Sequence, residues 1–201
     1  METEIYVFTD GSKLDNNGTG SGYIIKCKDK HYTHQQSTYL GTTPKVFQAE
    51  LNAILEAASH LNKIKTSNKN ITFFSDSKSS IETLSKTRHK GKLEQEVQQE
   101  LNALGIYNNV YIKWIKAHTG LRGNEIADRL AKRGAENLRE EQIIEPRLPR
   151  NGGQNKDKIK EWGEKKQLDN WKKLELEQKA RITRIFFPKP WTRKAEKFWN
   201  L

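Results

Sequence analysis

One cysteine in 201 residues, Cys27, leaves no partner for an intrachain disulfide and no set of thiolates for a structural zinc site. Such a chain fits a reducing compartment, cytosol or nucleus, and the Asn17-Gly18-Thr19 and Asn70-Ile71-Thr72 sequons are then coincidental. Long apolar runs are missing too, so no segment is expected to cross a membrane. The opening residues carry Glu2, Glu4 and Asp10 where a secretory leader would have a basic start and an apolar run, so no such leader is expected.

Positive charge, by contrast, is plentiful. Thirty-six Lys and Arg oppose 25 Asp and Glu, a net +11, and 30% charged against 34% hydrophobic residues mark a soluble, basic chain. A polyanion is the partner that such a balance favours. The length allows one moderate core and an appendage. Up to Glu140 there are 20 basic and 16 acidic residues, and beyond it 16 and 9, so the excess is concentrated in the tail. Pro146, Pro149, Gly152 and Gly153 interrupt a polar stretch. The reading is a domain over 1–139, a linker over 140–156 and a basic segment over 157–201.

Within the first part, Ile5 to Thr9 is a β-rich apolar run closed by Asp10-Gly11-Ser12. Gly18, Gly20 and Gly22 follow before Tyr23 to Cys27 resumes the pattern, which predicts a hairpin with a long Gly-rich loop. A third strand at His31 to Tyr39 completes a meander. From Lys45 the period changes: Val46, Ala49, Ala53, Leu55, Ala57 and Leu61 recur at helical spacing behind Pro44. Ile71 to Phe74 reads as a buried strand, Asp76-Ser77 as the cap of a short helix through Leu84, and Leu93 to Leu104 as another helix. Val110 to Ile115 is a strand and Asn124 to Leu138 a last helix. This order predicts an α/β fold, a mixed sheet flanked by helices.

Four acidic residues occupy positions where chemistry can use them. Asp10 and Asp76 follow strands, and Glu50 and Asp128 lie on helices that can pack over the same sheet edge. Each has an ordinary reading alone, as a turn, an N-cap or a solvated helix residue. Asp128 is less ordinary, because Ile126, Ala127, Leu130 and Ala131 around it are apolar. A converging set of carboxylates repels itself until hard divalent cations bind, and two such ions can clamp both oxygens of a phosphoryl displacement.

The blocks IYVFTDGS at Ile5 to Ser12, FQAELNA at Phe47 to Ala53, FFSDS at Phe73 to Ser77 and KWIKAHTGLRGNEIADRLA at Lys113 to Ala131 resemble ribonuclease H, particularly the version carried by non-LTR retrotransposon polyproteins. The resemblance spans about residues 3 to 137. It implies a five-stranded mixed sheet with helices on both faces and hydrolysis of the RNA strand of an RNA·DNA hybrid. It also implies two Mg²⁺ ions, with Mn²⁺ a workable substitute. By resemblance Asp10 bridges both ions, Glu50 and Asp76 complete one site, and Asp128 holds the ion that activates water. His118, in the loop before Asp128 and close to Gly120 and Gly123, assists proton transfer or product release, and Glu125 touches the outer shell of one ion. Gly11 and Ser12 are the candidates for reading the 2′-hydroxyls of the hybrid, with Thr42, Thr43, Gln48 and Lys78 as further substrate contacts. Val46, Phe47 and Lys78 depart from the cellular enzymes of the family. Lys86, Arg88, His89, Lys90 and Lys92 are all that stands where some relatives insert a basic extension.

Trp162, Trp171, Trp191 and Trp199 all lie beyond the linker. Lys156 to Ala180 reads as a helix with Leu168, Trp171 and Leu174 on one stripe, and Arg181 to Pro188 as an extended segment. Basic residues among aromatics suit nucleic acid or another region of a retroelement polyprotein. Against the enzyme stands a catalytically idle nucleic-acid-binding module of such a polyprotein, for which the unbroken acidic set has no physical reason. A related DNA-directed nuclease would lack the block around Asp128.

Overall fold

A computed structural model describes residues 3–15, 18–28, 33–86, 91–117, 120–136 and 152–176. The chain divides into two units, Met1–Arg150 and Asn151–Leu201.

The first unit is a five-stranded mixed sheet in the order β3-β2-β1-β4-β5. Its strands are β1 (Thr3–Lys13), β2 (Thr19–Cys27), β3 (Thr33–Gly41), β4 (Lys69–Ser75) and β5 (Asn109–Trp114). The helices are α1 (Val46–Lys63), α2 (Lys78–Leu84), α3 (Lys92–Gly105) and α4 (Arg122–Glu136). β1 lies centrally, antiparallel to β2 and parallel to β4, and β5 continues the parallel half. The predicted fold class is the one observed.

Strand alternation sorts side chains onto the two faces. Ile5 and Val7 of β1, Tyr23 and Ile25 of β2, and Ile71 and Phe73 of β4 join Leu51, Ile54, Ala57 and Leu61 of α1 in one core cluster. Leu93, Val97 and Leu104 of α3 close it from outside. Phe73, Ile25, Leu51 and Ile54 are fully buried, each worth about 1.5–3 kcal/mol relative to exposure. The opposite face of β2 carries Gly20 and Gly22. A Cβ on Gly22 would meet the Ala131 nitrogen and the Ala127 carbonyl of α4, so bare backbone there lets the stripe of Ala127, Ala131 and Ala135 sink against the sheet, all three at 0% exposure.

Two sequence expectations change here. Gly20 and Gly22 belong to β2 and not to a loop, because their missing side chains make room for α4. Asp10 does not end β1. The antiparallel ladder runs on through Asp10↔Gly22, Gly11↔Ser21 and Ser12↔Gly20 to Lys13↔Thr19. It is the parallel pairing with β4 that stops just before Asp10, at Phe8↔Phe74. Smaller shifts affect β3, which ends two residues late at Gly41, and α4, which starts at Arg122.

In the second unit α5 spans Gly152–Leu176, so Gly152 to Lys156, expected in the connection, are helical. Glycine is tolerated in a first turn, where few helical hydrogen bonds depend on it. The described apolar side chains Ile159, Trp162 and Leu168 are exposed, and the Lys166 ammonium lies 4.8 Å from the Trp162 ring centroid. The remaining residues of the connection, the extended segment Arg181 to Pro188, and Trp191 and Trp199 lie outside the described residues.

Candidate active site

The register of the central strands does most of the assembly. Phe8 pairs with Phe74 in parallel, and the same register carried two residues further sets Asp10 beside Asp76, just past the end of β4 at Ser75. Asp76 is held there by its backbone: its carbonyl accepts hydrogen bonds from the Trp114 indole at 3.0 Å and the Lys78 N–H at 3.1 Å. Ser77 occupies the N-cap of α2, yet its hydroxyl makes no cap bond and pairs with the Ser80 hydroxyl at 2.8 Å. The Asp76 carboxylate lines the cleft.

Glu50 arrives from α1 because Gly11 has no side chain. A Cβ on Gly11 would lie 2.5 Å from the Glu50 nitrogen and 2.8 Å from the Ala49 carbonyl carbon. The helix backbone rests directly on β1 at that point, and Glu50 comes to lie next to Asp10. Carboxylate oxygens of Asp10, Glu50 and Asp76 all fall within 4.8 Å of one another, the group among the described residues suited to holding a metal ion. These three line a cleft of about 360 Å³ together with Gly11, Ser77, Ala117, Leu121, Asn124, Glu125 and Asp128. Asn124 and Asp128 sit one helical turn apart on α4 and so present the same face.

Burial makes the acidic group unusual. Asp10 is 7% and Glu50 5% exposed. Burial, followed by the repulsion of Asp76, pushes the Asp10 carboxyl up to about 7, while the Gly11 N–H at 2.8 Å works in the other direction. Glu50 is pushed up further, by its deeper burial and then by the charges of Asp10 and Asp76. The contact between the two carboxyl groups acts in opposite directions, raising Glu50 and lowering Asp10. Glu50 Oε2 is nevertheless closed off from solvent with no hydrogen-bond partner, as is Asn124 Oδ1. A buried acceptor left unpaired costs about 1–3 kcal/mol. The donor set of hard carboxylate oxygens, one of them orphaned, fits a divalent cation of the Mg²⁺ or Mn²⁺ type.

The other expected residues are placed as follows. Asp128 lines the cleft, but it is not the strained apolar-face carboxylate expected, because α4 turns it toward the opening. Its side chain is 29% exposed and accepts a hydrogen bond from Lys132 at 2.8 Å. Glu125 also lines the cleft, at its exposed rim. Gly11 serves the close contact of α1 with β1, a demand of packing that the expected approach to a sugar did not anticipate. Gln48 is 4% exposed and its Oε1 accepts the Lys45 N–H at 3.1 Å, so it closes the first turn of α1. Ser12 and Thr43 are half-buried, and Thr42 and Lys78 are exposed. Lys78 lies 3.8 Å from Glu82. His118, Arg88, His89 and Lys90 lie outside the described residues. Sequence reasoning missed Asn124 and Lys132, although spacings of four from Asp128 in both directions were available to point to them.

The RNase H family model matches residues 2–136, more than half of the chain. A ribonuclease H of Haemophilus influenzae is 33% identical over 150 residues, covering 68% of this chain and 93% of the relative. One of Tropheryma whipplei is 33% identical over 147 residues, covering 67% and 86%. Among solved structures, RNase H1 of the archaeon Halobacterium salinarum superposes with a TM-score of 0.53 at 19% identity, covering 65% of this chain and 96% of its own. The N-terminal RNase H domain of a Mycobacterium tuberculosis protein gives 0.54 at 18% identity, covering 67% and 94%. The chain belongs to the ribonuclease H family.

Proposed function

We propose that this chain is an active ribonuclease H that hydrolyses the RNA strand of RNA·DNA hybrids with two divalent cations, and that it serves retrotransposon reverse transcription. The observation that carries the catalytic part is the buried cluster of Asp10, Glu50 and Asp76, with an oxygen of Glu50 left without a partner. A domain with no use for a cation gains nothing from burying carboxylates that repel one another.

Asp10, Glu50, Asp76 and Asp128 would hold the ions. When bound, the pair supplies charge neutralisation and Lewis acidity for a phosphodiester displacement. The chain does the rest. Asp76, tethered through its backbone to Trp114 and Lys78, orients one side of the cleft, and Asp128 limits the other from α4. His118, in the connection from β5 to α4 that includes Gly120 at φ +76°, moves a proton at the leaving or attacking oxygen. Gly11, which lines the cleft, and Ser12, Thr42, Thr43 and Lys78 would contact the hybrid, and Gln48 would act on it through the start of α1. The net +11 charge draws the polyanion in. The retroelement setting is supported by the blocks around Asp76 and Asp128 and by a basic, Trp-containing segment beyond the nuclease unit, which would meet nucleic acid or another region of the polyprotein.

The test is cleavage of an end-labelled RNA·DNA hybrid, an RNA duplex and a DNA duplex, each with Mg²⁺ and with EDTA. Cutting of the hybrid's RNA strand alone, and only with metal, is the expected result. Hybrid binding without cutting would identify an idle module instead. For the biological setting, a reverse transcriptase reading frame joined to this coding sequence is expected, and its absence would remove the retroelement part alone.

A further inference from the structure

Beside Glu50, a second buried polar side chain of the cleft, Asn124, has an atom without a hydrogen-bond partner. Asn124, in the first turn of α4, is 6% exposed. Its amide Nδ2 donates to Asp76 Oδ2 at 3.4 Å, a long hydrogen bond. A carboxylate offers only acceptors, so the nitrogen must face Asp76 and the amide orientation is fixed. The carbonyl Oδ1 is then committed to the other side, closed off from solvent and accepting nothing. Asn124 lines the same cleft as Asp10, Glu50, Asp76 and Asp128.

We propose that Asn124 is a positioning residue of the cation site, fixing Asp76 through its amide nitrogen and presenting Oδ1 as a neutral acceptor to the water shell of the bound divalent ion. Two features of the amide suit it to this place. It carries no charge, so it adds an oxygen to a crowded acidic cleft without adding repulsion. It also cannot be protonated in the physiological range, so it stays an acceptor whatever the state of its neighbours. Mg²⁺ dehydrates reluctantly and keeps several waters, which need acceptors around the site. An unpaired buried carbonyl destabilises the metal-free protein and becomes satisfied when a hydrated ion arrives. The orphaned atom is therefore better explained by a ligand than by the fold.

This inference rests on the divalent-cation reading, and the experiment separates the two. Mg²⁺ and Mn²⁺ binding is measured by calorimetry on the wild-type chain, Asn124→Ala and Asn124→Asp, and thermal unfolding is followed in EDTA. Removing such a supporting partner weakens metal affinity by about tenfold or more, so Asn124→Ala is expected to bind Mg²⁺ about tenfold less tightly. Its metal-free melting temperature should match or exceed that of the wild type, because the orphaned acceptor is gone. Asn124→Asp keeps an oxygen but turns the Asp76 contact repulsive, so it should melt lower in EDTA and recover more on adding Mg²⁺. Wild-type affinity in Asn124→Ala with a lowered metal-free melting temperature would overturn the proposal in favour of a structural asparagine. Absence of Mg²⁺ and Mn²⁺ binding to the wild type would overturn the cation reading and this inference together. Should Asn124→Ala not fold, Asn124→Ser takes its place, with the same loss of affinity expected.

Discussion

Asp10→Asn is expected to make the metal-free protein more stable, although it removes a residue from the centre of the site. The Asp10 carboxyl is pushed from 3.8 up to about 7 by burial and by Asp76. The folded chain therefore keeps a proton that the unfolded chain releases. Stability is fully present below the unfolded value, near pH 4, and is lost as the pH rises to about 7. Each unit corresponds to about 1.4 kcal/mol, so three units set a ceiling of roughly 4 kcal/mol. Because Glu50 and Asp10 share one proton and one repulsion, we assign about half, roughly 2 kcal/mol, to Asp10 itself. For a unit of this size that is on the order of 6 °C in melting temperature. The assay is thermal unfolding in EDTA from pH 4 to pH 8. The variant and the wild type should converge at pH 4, and the variant should melt higher at pH 8. With Mg²⁺ at pH 8 the order should reverse, since only the wild type keeps the full ligand set. A variant that melts at or below the wild type at pH 8 in EDTA, with an unchanged pH slope, would refute the view that burying Asp10 beside Asp76 strains the site.

Glu50→Gln and Asp76→Asn are each expected to abolish hybrid cleavage while leaving the circular dichroism spectrum and cooperative unfolding intact; residual turnover above background would contradict their assigned roles. Gly11→Ala places a Cβ against the Glu50 nitrogen and Ala49 carbonyl carbon, so it should cost about 1–3 kcal/mol in urea unfolding and lower Mg²⁺ affinity as α1 is pushed away. Deleting residues 151–201 should leave the nuclease unit folded and able to cut. If the basic segment binds nucleic acid, the deletion should also flatten the salt dependence of hybrid affinity, which falls with the number of phosphates neutralised; an unchanged slope would assign it another role.

The elements that could be read ahead are those whose pattern is local. The stripe of Ala49, Ala53, Ala57 and Leu61 announces α1, and the run Ile71 to Phe74 announces a strand buried on both faces, because spacing along the chain suffices for each. The acidic residues could be singled out from their positions beside strands and on helices. Distance could not be read: nothing local says that Glu50 reaches Asp10 or that Asp128 sits partly exposed against Lys132. Gly20 and Gly22 were misread for the same reason, and the packing demand on Gly11 went unseen, since all three admit a helix from elsewhere in the chain. That Gln48 closes the start of α1 was likewise out of reach, since the Lys45 N–H it accepts is positioned only by the formed helix.

By itself, then, the chain determined its periodicities, its charge, its want of a disulfide partner for Cys27 and the identity of the residues that carry the family's motifs. Tertiary structure decided which of them meet. Parallel register places Asp10 next to Asp76, a missing Cβ lets α1 deliver Glu50, and an alanine stripe seated on β2 swings Asn124 and Asp128 over the same cleft. Those approaches depend on the packing of whole elements across dozens of intervening residues, so no reading of neighbours along the chain can supply them. They are also what turns ordinary carboxylates into a buried cluster that a divalent cation would relieve.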